Sequence, residues 1–255
     1  MADVPSLDVP GQNAPVLLET RGISAGYGRT VILREPGITL RAGEWLGLLG
    51  ANGSGKSTLL RAITGQIPLL AGEVTLAGTA LHAAPERAKA AFGYAVDPAE
   101  LPQGLTGRQY IRLVASIRGC APTAWPHEDL LGLLALAPHL DKPIHACSLG
   151  TQGKIAVAAA LLGAPPLIIL DEALNGLDPL VSIRLRRLLR AMAATSRHAI
   201  ILATHSLEQV AQDASTVLLM DDGGIKHVWN SAALAAIRAV PGGLEAAFMD
   251  AMERG

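Results

Sequence analysis

Apolar residues fall in short runs along this chain, separated by glycine- and proline-marked breaks, and the runs change period part-way. Val16–Ser24 and Gly37–Leu40 have the alternating or apolar character of strands, joined through a glycine-rich turn at Gly26–Arg29. Glu44–Leu49 reads as a buried strand running straight into Gly50, and Ser57–Thr64 as a helix with Gly65 as its C-cap. Gly72–Leu76 and Phe92–Val96 are further short strands.

From Pro98 the period becomes helical. Thr106–Arg118 and Glu128–Leu136 fit helices, broken by Gly119–Pro126 and Pro138–Pro143, which predicts a helical insertion over roughly 98–148. An Ala-rich helix over Gly150–Gly163 extends it, so the helical subdomain covers about 98–163. Leu167–Leu170 is an apolar strand of the kind found in the middle of a parallel sheet. Pro179–Ala194 reads as a helix with proline in its first turn, Leu207–Gln212 as a short helix, and Ile200–Ala203 and Thr216–Met220 as strands. Asp222–Gly224 turns the chain into a last strand, Ile225–Trp229. This alternation predicts an α/β fold with a parallel sheet flanked by helices. Residues 1–15 read as a tail, 16–240 as the main domain and 241–255 as a short C-terminal helix.

Composition narrows the function classes. Half of the 255 residues are hydrophobic, enough for a sizeable core, but aromatics make up only 3%, so Leu, Ile, Val and Ala must build it. The formal net charge is −1, without the basic excess of a nucleic-acid binder, and no nucleic-acid partner is expected. The one basic cluster, Arg184, Arg186, Arg187 and Arg190, reads as a solvated helix face. Cys120 and Cys147 lie 27 positions apart with no metal-binding spacing, which fits a reducing cytoplasm. The start of the chain lacks the order of a signal peptide, and no apolar run approaches the roughly 18 residues of a membrane span.

The segment Gly50-Ala51-Asn52-Gly53-Ser54-Gly55-Lys56-Ser57-Thr58 fits G-x-x-x-x-G-K-[ST]. Such a loop brings backbone N–H groups against phosphate oxygens, which needs glycine where a Cβ would collide, and the helix that follows directs its positive end at the same anion. Lys56 then neutralises the β- and γ-phosphates, and the Ser57 hydroxyl ligates Mg²⁺. Leu167-Ile168-Ile169-Leu170-Asp171-Glu172 supplies the companion site: Asp171 emerges at the C-terminal end of a buried strand, where it can hold the Mg²⁺ shell. Glu172 is placed as general base for an attacking water, or else is only a carboxylate near a helix N-terminus.

In this order and spacing the motifs resemble the ATP-binding cassette ATPases, the nucleotide-binding subunits of ABC transporters, over roughly Val16–Trp229. The resemblance implies a P-loop NTPase fold with a mainly parallel central sheet, an antiparallel β subdomain on the N-terminal side and a helical insertion subdomain. Cys147-Ser148-Leu149-Gly150-Thr151, with Ser148 standing 23 positions before Asp171, looks like the family signature. Ser-x-Gly before a helix is by itself an N-cap; the resemblance implies that Ser148 and Gly150 reach an ATP held by the opposite subunit of a homo- or heterodimer. Asn175–Asp178 matches the D-loop, which connects the two composite sites. His205 matches the switch histidine that contacts the γ-phosphate and orients Glu172, although a lone histidine after a strand is usually structural. Tyr27 matches the residue that stacks on adenine, or is a tyrosine exposed in a glycine-rich turn.

There are departures from the family pattern. Asp97 stands where the family has a glutamine; it can accept from water or ligate Mg²⁺ but adds negative charge beside a phosphate. Thr151 and Leu149 replace the signature Gln and first Gly. The expectation is an ATP-hydrolysing subunit, peripheral at the cytoplasmic face of the membrane, that drives integral membrane permease subunits. After Trp229 only 26 residues remain, leaving no room for a large C-terminal regulatory domain; with the Ser-Leu-Gly form of the signature, this resembles ABC-2 type exporters. A soluble non-transport ABC ATPase and a weakly hydrolysing nucleotide-dependent clamp are the alternatives.

Overall fold

The computed structural model describes residues 14–253 except 28, 29 and 36, with the side chains of Tyr27, Thr30, Glu35 and Ala211 also outside the described set. Residues 1–13, most of the segment read as a tail, lie outside the described residues. Its last two residues are tied down: the Pro15 carbonyl accepts from the Ala42 amide at 2.9 Å and the Ala14 carbonyl from the Arg41 guanidinium at 3.1 Å.

A twelve-residue strand, β1 (Val16–Tyr27), organises the N-terminal sheet. It pairs antiparallel with β2 (Thr30–Glu35), β3 (Thr39–Arg41) and β5 (Leu69–Leu76), and β5 with β6 (Thr79–Ala80). The sequence pattern marks no strand between the turn at Gly26–Arg29 and Gly37, where β2 lies. That run is short and its core contribution narrow: Leu33 is fully buried while Val31 is exposed.

The central sheet holds β4 (Trp45–Leu49), β7 (Phe92–Ala95), β8 (Leu167–Asp171), β9 (Ala199–Thr204), β10 (Thr216–Asp221) and β11 (Gly224–Trp229) in the order β11-β10-β4-β9-β8-β7. All pairings are parallel except β10 with β11. Strands β4, β8 and β9 are buried at every position, which is why they read as unbroken apolar runs. Pleating then divides their side chains between two cores. Leu46, Leu48, Ile169 and Ile201 face the N-terminal sheet and Leu59, Leu60 and Ile63 of α1 (Lys56–Ile63). Trp45, Leu49, Ile168 and Leu202 face α3 (Gly107–Arg118), α5 (Leu149–Ala160) and α6 (Pro179–Ala194).

The helices begin where cap chemistry allows. Thr106 and Gln109 form a reciprocal capping box on α3, Ser148 caps α5, and Asp178 caps α6 just before its proline. The helix expected over Glu128–Leu136 is a single turn, α4 (Leu130–Leu133), with Gly132 in its middle and Ala135 at positive φ beyond it. Helices α2 (Pro85–Ala90) and α8 (Ser231–Arg238) lie where the pattern placed no element; α7 (Leu207–Ala211) and α9 (Gly243–Glu253) complete the set. Among the described residues no helix is long and apolar enough to cross a membrane.

The arginine face of α6 is not simply solvated. Arg186 and Arg190 both pair with Asp213, whose side chain is fully buried, and Arg186 also donates to the Gln209 carbonyl at 3.3 Å. Asp213 is too far along the chain for the helical spacing of the arginines to reveal it; Arg184, Arg187 and the paired Arg190 are exposed, and Arg186 is partly buried.

Candidate nucleotide-binding and hydrolysis site

Parallel registration brings three strand ends together. Leu49 is opposite Thr204, and Asp171 opposite Ala203, so Gly50, the Asp171–Glu172 pair and His205 emerge side by side at the C-terminal edge of the sheet. That edge is where open α/β sheets bind ligands.

The loop after β4 has the shape of an anion cradle. Gly53 and Gly55 have φ of +86° and +100°, and Gly55 caps α1 without a side chain. A Cβ on Gly50 would lie 2.4 Å from the Ser54 hydroxyl and 2.6 Å from the Met220 carbonyl. Asn52 and Gly53 face solvent; Ser54, Gly55, Lys56 and Thr58 are buried, and the Ser54 hydroxyl has no hydrogen-bond partner. The Lys56 ammonium donates to the carbonyls of Gly50 at 2.8 Å and Ala51 at 3.1 Å and lies 3.8 Å from the Glu172 carboxylate. Burial holds its pKa below the ordinary lysine value, opposed by the charges of Glu172 and Asp171. A buried ammonium whose hydrogen bonds go to loop carbonyls is ready to exchange them for phosphate oxygens.

Asp171 is buried and hydrogen-bonded on one side only. Tyr94 donates its hydroxyl to Oδ2 at 3.0 Å, the Ser57 hydroxyl also bonds the carboxylate, and Oδ1 is buried without a partner. Burial raises the Asp171 pKa, the bonds from Tyr94 and Ser57 lower it, and Glu172 and Asp97 push it up further. A hydroxyl beside an orphaned carboxylate oxygen is a hard-oxygen donor set of the kind Mg²⁺ takes, so these residues fit that ion.

Glu172 sits in a left-handed backbone conformation, φ +50°, with its amide donating to the Ala203 carbonyl at 3.0 Å. For a residue with a Cβ this is strained, and such strain collects at functional sites. Its carboxylate receives Asn175 Nδ2 at 2.6 Å and faces His205 Nδ1 at 3.2 Å. His205 is about half exposed, open to a ligand on its other side.

The structure separates the other sequence candidates. Asp97 is near enough to act on Asp171 electrostatically, yet its Oδ1 accepts from the Ala99 amide at 2.8 Å and starts the turn Pro98–Glu100. Ser148 is exposed, and its hydroxyl contacts Thr151 Oγ1 at 2.9 Å. Gly150 backs onto the D-loop so closely that a Cβ there would lie 2.2 Å from the Gly176 carbonyl. Asp178 caps α6 and pairs with Lys154 of α5 at 3.0 Å, so signature helix and D-loop are cross-linked within one chain. Tyr27 ends β1, and its side chain lies outside the described residues.

Three contributors make contacts that no local sequence pattern marks. Tyr94 supports Asp171 from the neighbouring strand, a contact set by the β7–β8 register and invisible in local pattern. Gln209 donates to Asn175 Oδ1 at 3.0 Å. Gly223, in the β10–β11 turn, donates its amide to the Ser54 carbonyl at 3.1 Å and accepts from the Arg34 amide at 2.9 Å, joining the phosphate loop to β2. The Asp222–Gly224 turn was legible; what it touches was not.

A family model described as "ABC transporter" matches residues 33–175, more than half of the chain. The chain belongs to the ABC transporter family of ATP-binding proteins. A second model, described as "AAA domain, putative AbiEii toxin, Type IV TA system", matches only residues 141–211. Among curated relatives, the uncharacterized ABC transporter ATP-binding protein YdbJ of Bacillus subtilis is 31% identical over 213 residues, covering 84% of this chain and 69% of that protein. The human phospholipid-transporting ATPase ABCA7 is 34% identical over 183 residues, 71% of this chain but only 8% of that much longer protein. A solved ATP-binding subunit of an ABC transporter superposes with a TM-score of 0.81 at 27% identity, covering 92% of this chain and 99% of its own. The fold is therefore the P-loop NTPase fold of ABC ATPases, and the enzyme class is ATPase.

Proposed function

We propose that this ABC ATPase hydrolyses ATP at the site built by Gly50–Thr58, Asp171, Glu172 and His205, and that hydrolysis drives export through separate membrane permease subunits. The observation that carries the reading is the Glu172 carboxylate, held between His205 and Asn175 and 3.8 Å from the ammonium of Lys56. Lys56 leaves its loop carbonyls to meet the phosphates. Glu172 accepts a proton from the attacking water as the water oxygen bonds to the γ-phosphorus and the bond to the ADP oxygen breaks. His205 orients Glu172 and donates toward the γ-phosphate. Ser57 and Asp171 are the residues that would hold Mg²⁺, which would supply charge neutralisation at the phosphates when bound.

Ser148 and Gly150 complete the site on a second subunit. In support, the signature is presented outward, with Ser148 exposed and Leu149 59% exposed. The permeases place the complex at the cytoplasmic face of the membrane. Glu172→Gln is expected to lower steady-state turnover by about 10²- to 10⁴-fold with ATP binding retained. Unchanged turnover overturns the assignment. Transport in vesicles tests direction: uptake that depends on a solute-binding protein overturns export.

A further inference from the structure

We infer that Gln209 is a positioning residue for hydrolysis, setting the Glu172 carboxylate through Asn175. The inference rests on the reading of Glu172 as the base. A carboxylate only accepts hydrogen bonds, so the 2.6 Å contact obliges Asn175 to present its NH₂ to Glu172. The Asn175 carbonyl then faces the other way and needs a donor, which Gln209 Nε2 supplies at 3.0 Å. The direction of both amides is thus dictated from the carboxylate outward.

The arrangement leaves the Gln209 Oε1 atom buried and unpartnered, a cost of about 1–3 kcal/mol in a protein interior. Turning the amide over would offer Asn175 a second acceptor, so the chain of donors keeps Gln209 as it is. An unsatisfied group retained in this way calls for an explanation, and the relay provides one. Both hydrogen-bond partners of the Glu172 carboxylate trace back to one short segment. His205 reaches it directly, and Gln209, in the α7 helix that follows, reaches it through the D-loop. That helix is itself anchored, by Arg186 on the Gln209 carbonyl and by the buried Asp213. A shift of the segment therefore moves the histidine and the relay together, coupling the switch region to the aim of the base.

The test compares Gln209→Leu, Gln209→Glu and Gln209→Lys in steady-state ATPase assays of the full chain. Leucine and glutamate both lack the donor; glutamate keeps the shape, so it serves where leucine fails to fold. Both are expected to lower kcat about 10- to 100-fold, the scale of a misplaced catalytic group, with KM for ATP within twofold. Lysine restores a donor and is expected to recover most of the loss. In an Asn175→Ala background, Gln209→Glu is expected to cost little more, because the relay is already cut. An unchanged kcat in Gln209→Glu overturns the inference, as does a lysine variant no better than glutamate, or a loss that appears in KM alone. Glu172→Gln, run beside them, separates the failures. If it leaves turnover intact, the base assignment has failed; if it abolishes turnover while Gln209→Glu does not, only the relay has.

Discussion

Replacing Asp171 with asparagine should make the metal-free protein more stable while destroying its activity. The wild-type side chain is 4% exposed, with Oδ1 buried and unpartnered. Asparagine keeps an oxygen on the side of the Tyr94 and Ser57 hydroxyls and puts its NH₂ in place of the unpartnered Oδ1, so no bond need be lost. What disappears is a buried charge lacking one partner, worth about 1–3 kcal/mol. At about 2–4 °C per kcal/mol for a chain of this size, the melting temperature should rise by roughly 2–12 °C. The sign with pH follows from burial, which raises the folded pKa above its ordinary value of 3.8. A carboxyl with a raised folded pKa favours the folded state below the unfolded value and loses that contribution as pH rises through the folded one. The advantage of asparagine is therefore full above the folded pKa and fades toward acid. Thermal melts of both proteins in EDTA, at about pH 8 and about pH 4, read this directly. With Mg²⁺ and nucleotide present the order should reverse, since only the wild type gains from binding. An asparagine variant less stable at pH 8, or an advantage equal at both pH values, would refute the account of Asp171.

Gly150→Ala should weaken hydrolysis without unfolding the chain: its Cβ would sit 2.2 Å from the Gly176 carbonyl, so the D-loop must move, and kcat should fall at least tenfold in a protein with an unchanged circular dichroism spectrum. Asp213→Ala should act the other way, on stability and not on chemistry at the phosphate. It strips a fully buried carboxylate from Arg186, whose side chain is 14% exposed, and from the half-exposed Arg190, and should cost about 3 kcal/mol in urea denaturation, against under 1 kcal/mol for Arg190→Ala.

What could be read from the sequence divides by the range of the interaction that carries the information. Strands β4, β8 and β9 announced themselves because burial on both faces demands apolar residues at every position. The phosphate loop was legible because three backbone conditions, two positive φ values and one close approach at Gly50, can be met only by glycine at fixed spacing. Ser148 was visible as a cap for a similar reason, its bond being a local one to a backbone three residues on. Nothing local marks Tyr94, Gln209 or Asp213, whose partners lie 77, 34 and 23 to 27 positions away. Nor could spacing show that Asp97 spends one oxygen on its own turn. The site thus has two layers. Groups that touch the nucleotide belong to motifs with their own local grammar. The groups that aim them, Tyr94 on Asp171 and Gln209 through Asn175 on Glu172, are ordinary polar residues made significant by register and packing. Because Glu172 is also held at a strained φ of +50°, the aim of the base depends on that second layer, and substitutions there should change turnover while every recognisable motif stays intact.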